Sequence, residues 1–346
     1  MKVSGFRPFW ILTTLTIALS TSLTLAQDIA GGGSLIRDLT GGAALIFRAP
    51  KDPVVHLASA VAGPLGGTIK DKKQPKPPVR KQDQAIARGN AARSAPKPRY
   101  DEAEAQYRLA ASIAPDDARA FAGLGNIYID QGRFKDAAEA YQEALKLDPN
   151  YSPALLPLAF SLARMSRYPE SIEVYQQALK AEPSNPEIYN NLSFSYNQLN
   201  RFQEAVDASL MAIKLLGATG EAFVQGFQER NEILSYAYKN LGNAYNGLDR
   251  YEEAANALKR STEIEPTNAA AHFNLGLTLY NARRYSEAIE AYKQVIKLRP
   301  TLAQAHYNLG LAFVAINDHK QARDEYEILK GLDAQLAEEL LRVIRP

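Results

Sequence analysis

The chain has 346 residues, with 40 Lys and Arg, 38 Asp and Glu, four His and no Cys, and its length fits one long repeat array or two domains. The absence of Cys excludes disulfides, thiolate metal sites, Cys nucleophiles and a lipid-modified N-terminal Cys. Residues 70–99 carry a net charge of +8 and residues 100–346 carry about −8, which argues against nucleic-acid binding by the acidic body.

Residues 1–26 have the three-part plan of a secretory signal peptide. Lys2 and Arg7 precede an apolar run from Phe9 to Leu25, and Ala26 ends the small-residue cleavage site. We expect cleavage after Ala26 and a periplasmic or cell-surface location in a bacterium. The alternative is an uncleaved membrane helix, which is disfavoured because the run is short and contains several Ser and Thr.

Residues 27–83 comprise a leader and a linker. Residues 27–69 are rich in Gly and Ala and have no clean period, so we expect a largely unstructured leader. The alternative is a short adhesive segment that docks on a partner or on the cell envelope. The sequence KDKKQPKPPVRKQ then predicts a basic linker that is stiffened by proline.

Beyond residue 83 the sequence repeats itself every 34 residues. Prolines recur at Pro115, Pro149 and Pro183 and again at Pro266 and Pro300. Alignment on these prolines gives seven units: 84–117, 118–151, 152–185, 186–219, 235–268, 269–302 and 303–336. A 15-residue insertion occupies residues 220–234. Positions in a repeat are counted below from the first residue of each unit.

The unit at 118–151 shows which residue types recur: Phe121, Leu124, Gly125, Tyr128, Gly132, Phe134, Ala137, Tyr141, Ala144 and Pro149. This pattern resembles the tetratricopeptide repeat family, in an exported bacterial form, and covers residues 84–336. The resemblance implies an all-α, right-handed superhelical solenoid of antiparallel helix pairs. It also implies that the first helices of successive repeats form the surface that binds a protein or peptide.

The spacing of these residues gives each helix one buried side. Phe121, Leu124 and Tyr128 line the first helix of the pair, and Ala137 and Tyr141 line the second. Small residues such as Gly125 are expected where the two helices approach closely. One pair cannot bury its apolar side alone, so stacking of pairs explains the array.

Both ends of the array depart from the pattern. The first unit is degenerate, and we interpret it as a partial or capping repeat. Residues 337–346 are expected to end a capping helix, whose apolar side comprises Leu336, Leu340, Leu341 and Ile344.

The insertion is predicted to be helical. Phe223, Phe227, Leu234 and Tyr238 keep a helical spacing, so we expect the insertion to lengthen the next repeat's first helix, starting near Thr219 or Gly220. The alternative is a separate short helix with a break near Asn231.

The sequence offers no catalytic set. Phosphate-binding loops, dinucleotide fingerprints, nucleophile elbows and zinc-protease motifs are absent from it. His272 and His306 occupy a position that holds aromatics in other repeats, so we expect packing residues rather than ligands of a shared metal, which would lack a third ligand. No catalytic residue, metal or cofactor is expected.

Asparagine recurs at repeat position 6, in Asn191, Asn240, Asn274 and Asn308. An amide donates and accepts hydrogen bonds, so these residues, with Lys239 and Asn243, are predicted to contact an extended peptide. Equally, the Asn side chains could tie neighbouring helices together. The family's carboxylate clamp for peptide C-termini is matched by Lys239, Asn243 and Asn274, but Gln304 and Asn308 stand where cations belong, so the clamp is incomplete.

We therefore expect an exported scaffold that binds a protein or peptide partner in a cell-envelope complex and is not an enzyme. Residues 27–69 could contribute to envelope association. The first alternative is a structural component that self-associates, and an enzyme is the least supported alternative.

Overall fold

The computed structural model describes residues 80–218 and 227–344. The predicted signal peptide and leader lie outside these residues. The described part contains fifteen α-helices. They are α1 Lys81–Arg93, α2 Tyr100–Ile113, α3 Ala118–Asp130, α4 Phe134–Leu147, α5 Leu155–Arg164, α6 Tyr168–Ala181, α7 Pro186–Gln198, α8 Phe202–Ala218, α9 Phe227–Gly247, α10 Tyr251–Ile264, α11 Ala269–Asn281, α12 Tyr285–Leu298, α13 Ala303–Ala315, α14 His319–Leu332 and α15 Ala334–Ile344. A short 3-10 turn, Ser152–Ala154, precedes α5.

A tyrosine of the second helix fills the space that a small residue of the first helix leaves open. A Cβ added to Gly125 on α3 would lie 2.7 Å from the ring of Tyr141 on α4, and one added to Gly276 would lie 2.5 Å from Tyr292. Both tyrosines are fully buried, and burial raises the pKa of each hydroxyl well above its usual range. The predicted close approach is therefore a contact between glycine and a tyrosine ring.

The turn between the two helices of a repeat has one conformation in the six repeats from 118–151 to 303–336. Position 15 has a positive φ in Gly132, Ser166, Asn200, Asp249, Arg283 and Asn317. In each case the next residue donates its N–H to the carbonyl five residues earlier, as Arg133 does to Tyr128 at 2.7 Å. This pattern is a Schellman motif, which ends the first helix and reverses the chain.

The degenerate first unit forms a complete helix pair, α1 and α2, rather than a partial repeat. The Nε atom of Arg93 donates to Asp130 Oδ2 at 2.6 Å, and Arg119 Nη2 donates to Asp83 Oδ1 at 2.7 Å. Charged pairs thus join α1 to the first helix of the next repeat, α3. The ring of Tyr107 also packs against Gly123 of α3, where a Cβ would approach it to 2.3 Å.

Residues 227–234 of the insertion continue into the next repeat as one helix. Helix α9 runs unbroken from Phe227 to Gly247, so the alternative of a break near Asn231 is wrong. Its predicted start near Thr219 or Gly220 lies outside the described residues. Arg230 Nε donates to the carbonyl of Leu216 at 2.9 Å, which fixes the beginning of α9 to the end of α8.

The described helices form two compact units, residues 80–250 and residues 251–344. In the second unit, α15 packs on α13 and α14 and buries Leu336, Leu340 and Ile344, as predicted, while Leu341 is half-buried. Across residues 80–218 and 227–344, no helix combines the length and the apolar character needed to cross a membrane.

Candidate functional site

Within each unit, first helices contact the first helix of the next repeat. This holds for α5 with α7, for α7 with α9, and for α11 with α13. Positions 5, 9 and 12 of these helices lie along one side, which we call the first-helix face. Of the predicted partner-binding residues, Asn191, Lys239, Asn240 and Asn243 belong to the unit 80–250, and Asn274 and Asn308 belong to the unit 251–344.

Asn191 and Asn240 are buried inside the protein, with exposed fractions of 0% and 1%. Asn240 Nδ2 donates to the backbone carbonyl of Asn190 at 3.2 Å and to its side-chain Oδ1 at 3.0 Å. Asn190 Nδ2 in turn donates to Asn191 Oδ1 at 3.3 Å. The two bonds from Asn240 join α7 to α9, as expected if the Asn side chains tie neighbouring helices together.

A third bond joins the same two helices. Asn197 Nδ2 donates to the backbone carbonyl of Asn240 at 3.0 Å. The side-chain oxygens of Asn197 and Asn240 are buried and, within the described residues, accept no hydrogen bond. Buried acceptors of this kind are expected to bind water or a donor from a ligand.

Lys239 and Asn243 follow Asn240 on α9 and differ in exposure. Lys239 is buried, and its Nζ lies 4.7 Å from the centroid of the Tyr236 ring, within the range of a cation–π interaction. Asn243 is half-buried on the first-helix face. Of the four predicted residues in this unit, Asn243 is therefore the most accessible to a partner.

Asn274 on α11 and Asn308 on α13 are half-buried, unlike their equivalents Asn191 and Asn240. The same residue at position 6 thus occupies two environments. Whether any of the six residues binds a partner stays a prediction.

Two of the three histidines in the unit 251–344, His272 and His306, have a structural role. The Nε2 atom of His272 lies 3.0 Å from the carbonyl oxygen of Pro266, and that of His306 lies 2.9 Å from the carbonyl oxygen of Pro300. In another repeat the hydroxyl of Tyr189 donates to Pro183 in the same way, at 3.1 Å. Position 4 therefore ties each of these first helices to the proline that ends the preceding repeat.

His306 has a second partner that His272 lacks. Its Nδ1 lies 2.7 Å from Glu325 Oε2 on α14, and this hydrogen bond raises the pKa of His306. The residue equivalent to Glu325 in the preceding repeat is Ala291, and burial lowers the pKa of His272. Sequence reasoning missed this pair, although the replacement of a recurring small residue by Glu325 was a visible signal.

The first-helix face of α11 and α13 is apolar. Positions 5, 9 and 12 of both helices carry half-buried apolar or aromatic side chains, which we call the apolar stripe: Phe273, Leu277, Tyr280, Tyr307, Leu311 and Val314. Burial raises the pKa of Tyr307, with smaller contributions from Glu339 and from Tyr280 on the neighbouring helix. Sequence reasoning missed this stripe, because the search for a partner site considered polar residues.

No group of three or more His, Asp or Glu side chains that could hold a metal ion occurs among the residues that the structure describes. The matches to the carboxylate clamp are divided between the two units, with Lys239 and Asn243 in one and Asn274 in the other.

Comparison with protein families identifies the repeats. The family model for the tetratricopeptide repeat matches residues 118–151. A second model, for the TPR repeat, matches residues 161–200, 242–282 and 284–317. No curated protein matches the sequence.

Solved structures share the fold at low sequence identity. PilF of Pseudomonas aeruginosa is 20% identical, with a TM-score of 0.53, over 66% of this chain and 98% of its own. A tetratricopeptide repeat protein from Parabacteroides merdae is 15% identical, with a TM-score of 0.54, over 77% and 99% of the two chains. A chain of the Cut9–Hcn1 hetero-tetramer of the APC/C is 17% identical, with a TM-score of 0.54, over 77% of this chain and 53% of its own. The part of the protein that the structure describes is thus helical and carries tetratricopeptide repeats.

Proposed function

We propose that the protein is an exported, non-enzymatic scaffold that binds a peptide or protein partner on its first-helix face and assembles a cell-envelope complex. The supporting observation is the alignment of first helices within each unit, which brings half-buried amide and apolar side chains onto one side. A tetratricopeptide array is typical of protein–protein interaction scaffolds.

The accessible amides are the polar contacts that this proposal assigns to the partner. Asn243, Asn274 and Asn308 are half-buried, so part of each side chain reaches the surface where a partner can contact it. Asn191 and Asn240 are buried, so the proposal gives them a structural role beneath this face rather than contact with the partner.

Capture of partners from an envelope extract by the full chain tests the proposal. Changing Asn243, Asn274 and Asn308 together to Ala should weaken the captured partner's affinity by at least about tenfold, since each lost hydrogen bond costs about 0.5–1.5 kcal/mol. Asn150→Ala is the matched control, because Asn150 is an exposed amide between two repeats. Equal affinity of the triple variant and the control would refute the assignment.

Export has a separate test. The single Trp of the chain, Trp10, lies within the predicted signal peptide. The protein isolated from its native compartment should therefore show tyrosine emission only. Tryptophan emission would demonstrate that residues 1–26 are retained and that cleavage after Ala26 does not occur.

A second candidate function, structural self-association, has an observation in its favour. The second helix of the first repeat exposes Leu109 and Ile113, and the last second helix exposes Ile328 and Leu332. Val343 on α15 is 47% exposed, whereas its equivalent in the preceding repeat, Leu309, is buried. Light scattering at increasing concentration would distinguish the two functions, since self-association predicts a mass that rises without any added partner.

A further inference from the structure

The apolar stripe on α11 and α13 is uncharged as well as apolar. No residue at position 2, 5, 9, 12 or 13 of either helix carries a charge. By contrast, the same positions in α3, α5, α7 and α9 include Arg119, Asp130, Arg164, Glu187 and Lys239. The stripe is therefore suited to an uncharged, apolar segment of polypeptide.

The chain contains such a segment outside the described residues. Ala43–Phe47, with the sequence AALIF, is the longest uninterrupted apolar run between residues 27 and 79. Gly41 and Gly42 precede the run and Arg48 follows it. The large apolar side chains of Leu45, Ile46 and Phe47 would suit the apolar stripe.

The linker gives residues 43–47 a long reach from the first described residue. Residues 48–79 separate Phe47 from Arg80, where the described part begins, and an extended chain of this length reaches about 100 Å. A tethered segment has an effective concentration on the order of millimolar, so even a weak contact is populated within one molecule.

We propose that residues 43–47 of the leader dock on the apolar stripe of the same chain and occupy it until a partner displaces them. The docking itself is independent of the proposed scaffold function, whereas displacement by a partner rests on it. While docked, the leader is withheld from the envelope, so partner binding at the stripe and envelope contact by the leader become coupled.

A photo-reactive phenylalanine analogue in place of Leu311 in the full-length chain tests the docking directly. Irradiation should cross-link position 311 to residues 41–50 within one molecule, as identified by mass spectrometry. The same analogue at Gln294, which is exposed on the second helix α12, is the control and should give at least about tenfold less of this product. Mixing heavy- and light-isotope chains separates intramolecular products from intermolecular ones.

Substitutions in the leader leave the folded repeats untouched. Leu45→Asp with Ile46→Asp should reduce the cross-link at least about tenfold, because charges cannot be buried on an apolar stripe without a large cost. Val55→Asp adds a charge to the leader outside residues 43–47 and should leave the amount of cross-link unchanged. An excess of a synthetic peptide of residues 41–50 should also compete with the intramolecular product.

Three results would overturn the proposal: cross-links only between copies, cross-links to other parts of the chain, or no difference between positions 311 and 294. A cross-link that forms as expected in a protein that captures no partner would uphold the docking and refute the scaffold function instead.

Discussion

The two units use the same positions of the first helix in different ways. Around α7 and α9, position 5 holds Asn190 and Lys239, which are both buried, and Asn190 accepts a hydrogen bond from Asn240. Around α11 and α13, position 5 holds Phe273 and Tyr307, which are half-buried in an apolar stripe. Both sets are compatible with one fold because the fold depends on other positions, where small residues and tyrosines pack the helices of each pair together.

The largest expected effect concerns a contact that both units share, between a buried tyrosine ring and a glycine. Tyr141→Ala and Tyr292→Ala should each lower the free energy of unfolding by about 3–5 kcal/mol, since each removes a buried ring that packs on a glycine. Urea denaturation followed by circular dichroism measures both. A loss below about 1 kcal/mol in either variant would show that this contact does not hold the two helices of a repeat together.

Substitution of Tyr141 by phenylalanine separates the effect of the ring from that of its hydroxyl. The hydroxyl of Tyr141 donates to Asn126 Oδ1 at 2.7 Å. Tyr141→Phe removes this bond alone, so it should lower the free energy of unfolding by only about 1 kcal/mol. The control Asn126→Ala should remove the difference between Tyr and Phe at position 141.

The second prediction separates the two environments of position 6. Asn240→Ala should lower the free energy of unfolding by about 1–3 kcal/mol, because it leaves the buried acceptor of Asn190 without its donor. Asn308→Ala, at a half-buried site, should change it by no more than about 0.5 kcal/mol. Thermal unfolding of the two variants side by side checks this, and equal losses would refute the distinction.

The third prediction concerns pH and compares two histidines within one unit. The bond to Glu325 raises the pKa of His306 above its unfolded value, so its stabilisation is complete below about pH 6.5 and is lost as pH rises through the folded pKa. Burial lowers the pKa of His272, so its neutral form is favoured in the fold, and stability is lost as pH falls through its folded pKa.

Measurement of unfolding free energies at pH 5 and pH 8 for His306→Phe and His272→Phe tests these opposite signs. The loss caused by His306→Phe should be greater at pH 5, and the loss caused by His272→Phe should be greater at pH 8. Glu325→Gln should abolish the pH dependence at His306, and its persistence would assign the effect to another group.

The smallest effect tests a feature that the units have in common. Ser166→Gly and Arg283→Gly should each raise the free energy of unfolding by about 0.5–1 kcal/mol, because glycine adopts the positive φ of position 15 without strain. Gly132→Ala should lower it by about 1 kcal/mol. Unequal gains at Ser166 and Arg283 would show that this turn is not equivalent in the two units.

The sequence was sufficient to predict the helix pairs, because each pair depends on residues within one 34-residue period. Tyr141 and Ala137 are buried as predicted. The environments of Asn191 and Asn240 could not be predicted in the same way. Their bonds depend on Asn190, which lies 50 residues from Asn240 along the chain and is joined to it only through the stacking of α7 on α9.

The Schellman turn at position 15 also bears on how the chain folds. Its hydrogen bonds join residues only three to five apart, so each hairpin can close without waiting for distant parts of the chain. Helices then contact neighbours in sequence, which favours rapid folding that can nucleate in more than one repeat. Native-state hydrogen exchange should accordingly reveal opening by whole hairpins, with α15 and its neighbours exchanging as a group distinct from the interior repeats.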